Sequence, residues 1–188
     1  MNFHIIYKML WEENDDMLTI CFTGHRPNKF GGWNVPAPQN VLNWLEEYID
    51  KLINLRDDIT FISGAAQGID QWAADIIIRK KEERTDKNIK LLMAIPYHGF
   101  GDNWPYPARE KLKAINTKAD KVVYVNDIYT GPYLLQIRNE WMVDRSQIVL
   151  AIWDGSTGGT FNCVKYAQKE NVKIIRYDFI NDKTYKIG

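Results

Sequence analysis

The chain predicts an α/β domain of three layers, Rossmann-like, with a mainly parallel sheet. Three observations carry this. Short apolar runs alternate with segments of helical spacing from residue 18 to residue 177. The runs at 18–22 and 148–153 are apolar along their length, as strands covered on both faces are. Strands joined through helices of this length pair in parallel by right-handed crossovers.

The elements follow in order. Residues 1–16 stand apart as an N-terminal extension, apolar and mixed up to Leu10 and acidic from Trp11 to Asp16. Residues 17–188 form the single domain. The first strand, 18–23, ends at Gly24. Residues 41–55 place Val41, Leu42, Leu45, Tyr48, Ile49, Leu52 and Ile53 at helical spacing. The second strand is 60–63. A helix at 68–83 buries Ile69, Trp72, Ala73, Ile76 and Ile77, and its charged run at 79–84 reads as a solvated end. The third strand is 89–96. Pro105 and Pro107 open a helix to about Thr117, because proline suits a first turn. A fourth strand at 121–125 and a helix at 133–145 follow. The apolar strand at 148–153 ends at Asp154-Gly155, a helix spans 159–168, and 172–177 is the final strand.

Composition narrows the function classes. Lys+Arg and Asp+Glu are both 24, so the formal net charge is zero, which argues against broad electrostatic capture of nucleic acid. Two cysteines, Cys21 and Cys163, form no disulfide framework and read as small buried hydrophobes of a reducing cytoplasm. Three histidines, His4, His25 and His98, show no metal-ligand spacing, so no metal is expected. No apolar run reaches membrane-spanning length, and the amino end lacks the order of a secretory signal.

Open parallel sheets bind ligands beyond the carboxyl ends of their strands. The first strand is followed by Thr23-Gly24-His25-Arg26-Pro27. The second is followed by Ser63-Gly64-Ala65-Ala66-Gln67-Gly68, small residues over a turn that enters a helix. Unpartnered N–H groups and the helix dipole suit phosphate there, although a tight turn without ligand has the same residues. Pro96-Tyr97-His98-Gly99 follows the third strand. Asp154-Gly155-Ser156-Thr157-Gly158-Gly159-Thr160 follows the strand at 148–153.

Gly158, Gly159 and Thr160 offer N–H groups and a hydroxyl to phosphate. Arg26 suits a bidentate contact. Asp70, in a first turn, reads as a cap, or as a partner for a ribose hydroxyl if it faces a ligand. His25 reads as a structural hydrogen-bonding group or as a polariser of substrate. Arg138, beside Asn139, either holds phosphate or pairs on the surface with Glu140 or Asp144. Trp33, Tyr97, Trp104 and Tyr106 are loop aromatics that stack on a base or cover an apolar pocket. The loop at 30–38 is a candidate lid.

Taken together, these motifs resemble the YpsA-like branch of the SLOG superfamily over residues 17–178. The residues are Thr23-Gly24-His25-Arg26-Pro27, Ser63-Gly64-x-x-x-Gly68-Ile69-Asp70, Arg138-Asn139-x-x-Met142-Val143-Asp144 and Gly158-Gly159-Thr160. The second and third also resemble those of DprA, the single-strand DNA-binding member. The resemblance implies a pocket for a nucleotide or an ADP-ribose-like ligand, with no cofactor assigned, and a protein that senses, stores or sequesters it. The expected ligand residues are Thr23, Gly24, His25, Arg26, Ser63, Gly64, Ala65, Gln67, Gly68, Asp70, Pro96, Tyr97, Arg138, Asn139, Asp154, Gly158, Gly159 and Thr160.

The superfamily's LOG enzymes cleave N-glycosidic bonds and carry a glutamate just after their glycine motif. Here Phe161, Asn162 and Cys163 follow instead, and that carboxylate is absent. Asp70, Asp154 and His25 are the remaining candidates for catalysis. Hydrolysis of a nucleotide-type N-glycosidic bond and DprA-like DNA binding are the alternative readings. The superfamily often dimerises, and the extension at 1–16 is suited to a partner subunit.

Overall fold

The computed structural model describes residues 17–33 and 35–188, so the extension at 1–16 lies outside the described residues. Among the described residues, seven strands form one sheet in the order β4-β3-β2-β1-β5-β6-β7. They are β1 (Met17–Gly24), β2 (Asp58–Ser63), β3 (Asn88–Tyr97), β4 (Lys121–Asn126), β5 (Ile148–Ile152), β6 (Lys173–Asp178) and β7 (Lys183–Ile187). The first six are parallel, and β7 runs antiparallel to β6.

Side chains alternate across the sheet because successive Cβ atoms leave a strand on opposite faces. Ile20, Phe22, Phe61, Leu91, Leu150 and Ile152 enter one core. Cys21, Ile62, Ala94, Val149 and Ala151 enter the other. The first core is covered by α1 (Gln39–Ile53), α2 (Ile69–Glu83) and α3 (Tyr106–Lys118) through Leu45, Ile49, Ile77 and Leu112. The second is covered by α4 (Leu134–Val143) and α5 (Gly159–Lys169) through Met142, Val143, Cys163 and Val164. The three expected layers are thus present. Both cysteines are buried, and loss of water pushes the Cys163 thiol up to about 11.

Three readings need correction. The strand at 172–177 is not the last, since β7 follows as a hairpin. Its register pairs Tyr177 with Thr184, and Asp178 Oδ1 accepts from the N–H groups of Ile180 and Asn181 to hold the turn. The polar, half-exposed β7 has too little apolar pattern to stand out. Helix α1 begins before residue 41, because Gln39 and Asn40 extend it with exposed polar side chains. The charged run at 79–84 is not wholly solvated. Lys80 is buried and donates to Asp50 Oδ2 at 2.7 Å, which joins α2 to α1.

Strand β1 has β2 on one side and β5 on the other. The chain order reverses between β1 and β5, and a crevice opens there at the strand ends.

Candidate functional site

Strand β1 can end close to α2 because Gly24 has no side chain. A Cβ on Gly24 would lie 2.4 Å from Ile69 Cγ1. Two backbone bonds fix the following loop. His25 N–H donates to Ile152 O at 3.3 Å, and Ile69 N–H donates to His25 O at 3.4 Å. The His25 ring then reaches the other side of the crevice, where Nε2 meets Asp154 Oδ1 at 2.7 Å. That oxygen also accepts from Ser156 N–H at 2.8 Å. Burial works to raise the Asp154 carboxyl. The Ser156 hydroxyl and N–H and the His25 ring outweigh it and hold Asp154 below the usual carboxylate range. Phe30 and Phe179 pack edgewise on the ring. His25 and Asp154 therefore tie the two loops together.

The resulting cavity holds about 250 Å³. Of the expected ligand residues, Thr23, Gly24, His25, Arg26, Asp70, Arg138, Asn139, Gly158, Gly159 and Thr160 line it. Asn28, Lys29, Leu135, Ser156 and Thr157 line it as well and were not expected as ligand residues. Lys29, three residues after Arg26, was the most legible of these. Its ammonium donates to Ser156 Oγ at 3.3 Å across the same two loops.

The two glycine turns differ. At Gly158-Gly159 a Cβ on either residue would meet nothing within 4 Å. Gly158 caps α5 without a side-chain hydrogen bond, and the first helical bond is Asn162 N–H to Gly158 O. The N–H groups of Gly159, Thr160 and Phe161 thus have no acceptor among the described residues.

The turn after β2 is closed, and this corrects the expectation of a phosphate seat on Ser63, Gly64 and Ala65. A Cβ on Gly64 would fall 1.7 Å from Arg138 Nη1. The guanidinium occupies that space and pairs with Asp70 Oδ2 at 3.4 Å. Ala66 N–H donates to the same carboxylate oxygen at 3.3 Å. Ser63 Oγ accepts from Ala65 N–H and donates to Asp70 O. The Asp70 side chain sits where an external anion was expected. Burial pushes its carboxyl up, and Arg138, the Ala66 N–H and Arg26 work against that. Arg138 is neither a surface partner of Glu140 or Asp144 nor a free clamp. Its Nε is buried without a hydrogen-bond partner. The Arg26 carbonyl accepts from Lys29 N–H at 3.0 Å, and its guanidinium, which lines the cavity, acts on Asp70 through its charge rather than through a hydrogen bond.

Pro96 and Tyr97 do not reach this cavity, because β3 lies two strands from β1. Pro96 O accepts from Asn126 Nδ2, and Tyr97 packs on Phe100 and Tyr129. Gln67 and Gly68 line an adjoining cavity that shares Arg26. No group of three or more His, Cys, Asp or Glu among the described residues is arranged to hold a metal. No helix among them is long and apolar enough to cross a membrane.

Fold and site together define a Rossmann-like α/β protein with its cavity at the switch point of the sheet. The chain belongs to the YspA SLOG family, whose sequence profile matches residues 20–182. It is 30% identical over 173 residues to the SPbeta prophage-derived protein YoqJ of Bacillus subtilis, covering 81% of this chain and 98% of that one. It is 24% identical to a UPF0398 protein of Oceanobacillus iheyensis, covering 82% and 85%. Among solved structures, DNA processing protein A (DprA) of Streptococcus pneumoniae superposes with a TM-score of 0.59 at 14% identity, over 86% of this chain. This chain spans 50% of that protein's length. The Helicobacter pylori DprA, described for its single-stranded DNA binding mode, gives 0.59 at 17% identity, over 85% of this chain and 65% of that one.

Proposed function

We propose that the protein binds a phosphate-bearing, nucleotide-type small molecule and senses, stores or sequesters it. One observation carries the reading. The open amides of Gly159, Thr160 and Phe161 begin a helix that lines the same cavity as Arg26, a guanidinium engaged in no side-chain hydrogen bond among the described residues. Helix N-termini attract anions through unpaired N–H groups and the dipole, and arginine adds a bidentate charged donor. Thr160 lines the same cavity and contributes a hydroxyl.

Calorimetric titration and thermal shift with AMP, NAD, ADP-ribose and cyclic dinucleotides test this. A ligand at one hundred times its dissociation constant stabilises by about 2.7 kcal/mol, a clear rise in melting temperature. No shift with any of them, or an equal shift in Arg26→Ala, overturns the reading. Release of free base over hours would turn it toward N-glycosidic hydrolysis. That chemistry wants a carboxylate near the anomeric carbon, and Asp70, the acid in the cavity wall, is engaged by Arg138 and Ala66 N–H.

Single-stranded DNA is a second reading, favoured by the likeness in fold to DprA. The zero net charge weighs against it. Retardation of single-stranded DNA that falls steeply with salt would support it over the small molecule.

A further inference from the structure

We infer that the adjoining cavity is the seat of the ligand's nucleobase and selects a base with an exocyclic amine. This inference rests on the phosphate reading above. The cavity holds about 470 Å³, inside the range of about 300–1,000 Å³ usual for small-molecule sites. The glycine-turn cavity, at about 250 Å³, falls below that range. Arg26 lines both, so the two are subsites of one ligand path.

The walls of the second cavity suit a flat ring. Trp33, Trp72 and Trp104 line it. Trp72 is fixed against Phe30 at a centroid distance of 5.3 Å, and Trp104 stands edge-on to Phe100 at 5.1 Å. Trp33 is 50% exposed and has no ring partner among the described residues. A planar base covers such an indole without breaking an existing contact, and stacking of this kind tolerates any base.

Gln71 supplies the discrimination. Its side chain is 3% exposed, and Nε2 donates to Ala65 O at 3.1 Å. That bond fixes which end of the amide is the donor, and Oε1 remains an acceptor without a partner among the described residues. Gln71 lines the cavity, so a base that presents N–H₂ can donate to this oxygen, whereas one that presents a carbonyl repels it.

Titration of the whole chain with AMP, IMP and ribose 5-phosphate, followed by calorimetry and tryptophan fluorescence, tests the assignment. AMP is expected to bind at least about tenfold tighter than ribose 5-phosphate and to quench fluorescence. It is expected to exceed IMP about fivefold or more, which reads Gln71 without altering it. Trp33→Ala, a change on an exposed loop, should remove most of the AMP advantage and leave ribose 5-phosphate unchanged. Equal affinities of AMP and ribose 5-phosphate, or an AMP advantage that survives Trp33→Ala, overturn the base seat and leave the phosphate reading standing. Equal AMP and IMP affinities overturn the amine preference. Failure of all three ligands to bind overturns the base seat, and failure of NAD, ADP-ribose and cyclic dinucleotides as well overturns the phosphate reading with it.

Discussion

Arg138 on α4 and Asp70 on α2 meet over the exit of β2, Nη1 to Oδ2 at 3.4 Å, with both side chains under a tenth exposed. The pair exists because Gly64 offers no Cβ in the guanidinium's place. It supplies an internal anion and cation where the turn alone would have drawn them from a ligand. The other glycine turn and Arg26 keep no such internal counter-ion, and it is there that the proposed ligand would bind.

The pair makes a prediction about stability. Asp70→Ala leaves the buried guanidinium uncompensated and should cost about 3–5 kcal/mol, measured by urea unfolding. The double variant Asp70→Ala/Arg138→Met should recover a large part of that loss. Losses that simply add would show that the two groups are not coupled.

Asp154 makes a prediction about pH. Its folded carboxyl titrates below the ordinary value of 3.8, so its contribution is complete above that value and is lost as pH falls through the folded one. Asp70 is shifted upward, so its contribution has the opposite sign and is lost as pH rises through its folded value. Asp154→Asn should therefore be less stable than the parent at neutral pH. The gap should narrow on acidification below about pH 4 in thermal melts. A constant gap across that window would remove the His25–Asp154 tie from the account.

Much of this was legible in the sequence. The six parallel strands and their helices follow from apolar spacing, and the strand-end loops were visible as runs of small residues. What separates Ser63-Gly64 from Gly158-Gly159 was not visible. Both are small-residue turns into a helix, and only the first receives a distant side chain, that of Arg138, which pairs with Asp70, 68 positions before it. Such long-range filling leaves no local pattern. The same holds for the meeting of Trp33, Trp72 and Trp104, which lie on two loops and a helix and share a cavity only through the fold. The distance of Pro96 and Tyr97 from the crevice is not legible either, because strand order, which sets it, cannot be read from spacing alone.

Arg26→Ala should separate binding from folding. Its side chain acts on Asp70 only through its charge, without a hydrogen bond, so the unfolding free energy should change by less than about 0.5 kcal/mol. Loss of a charged bond to phosphate costs about 1.5–3 kcal/mol, which predicts a roughly 10- to 100-fold weaker affinity for AMP or ADP-ribose by calorimetry. Unchanged affinity would move the ligand away from this loop.

Gly159→Ala sets stability and binding against each other. The position is helical, and a Cβ there meets no atom within 4 Å, so nothing in the protein resists it. Alanine is the better helix former by about 0.8–1.0 kcal/mol in a helix interior, and the gain at a first turn should be smaller but of the same sign. The melting temperature should therefore hold or rise slightly. The added methyl would lie on the open side of the turn, over amides that a phosphate must approach closely. Affinity for ribose 5-phosphate should fall by about tenfold or more, about 1.4 kcal/mol. A variant that is as stable as the parent and binds as tightly would mean that the α5 N-terminus is not the anion seat, whatever Arg26→Ala does.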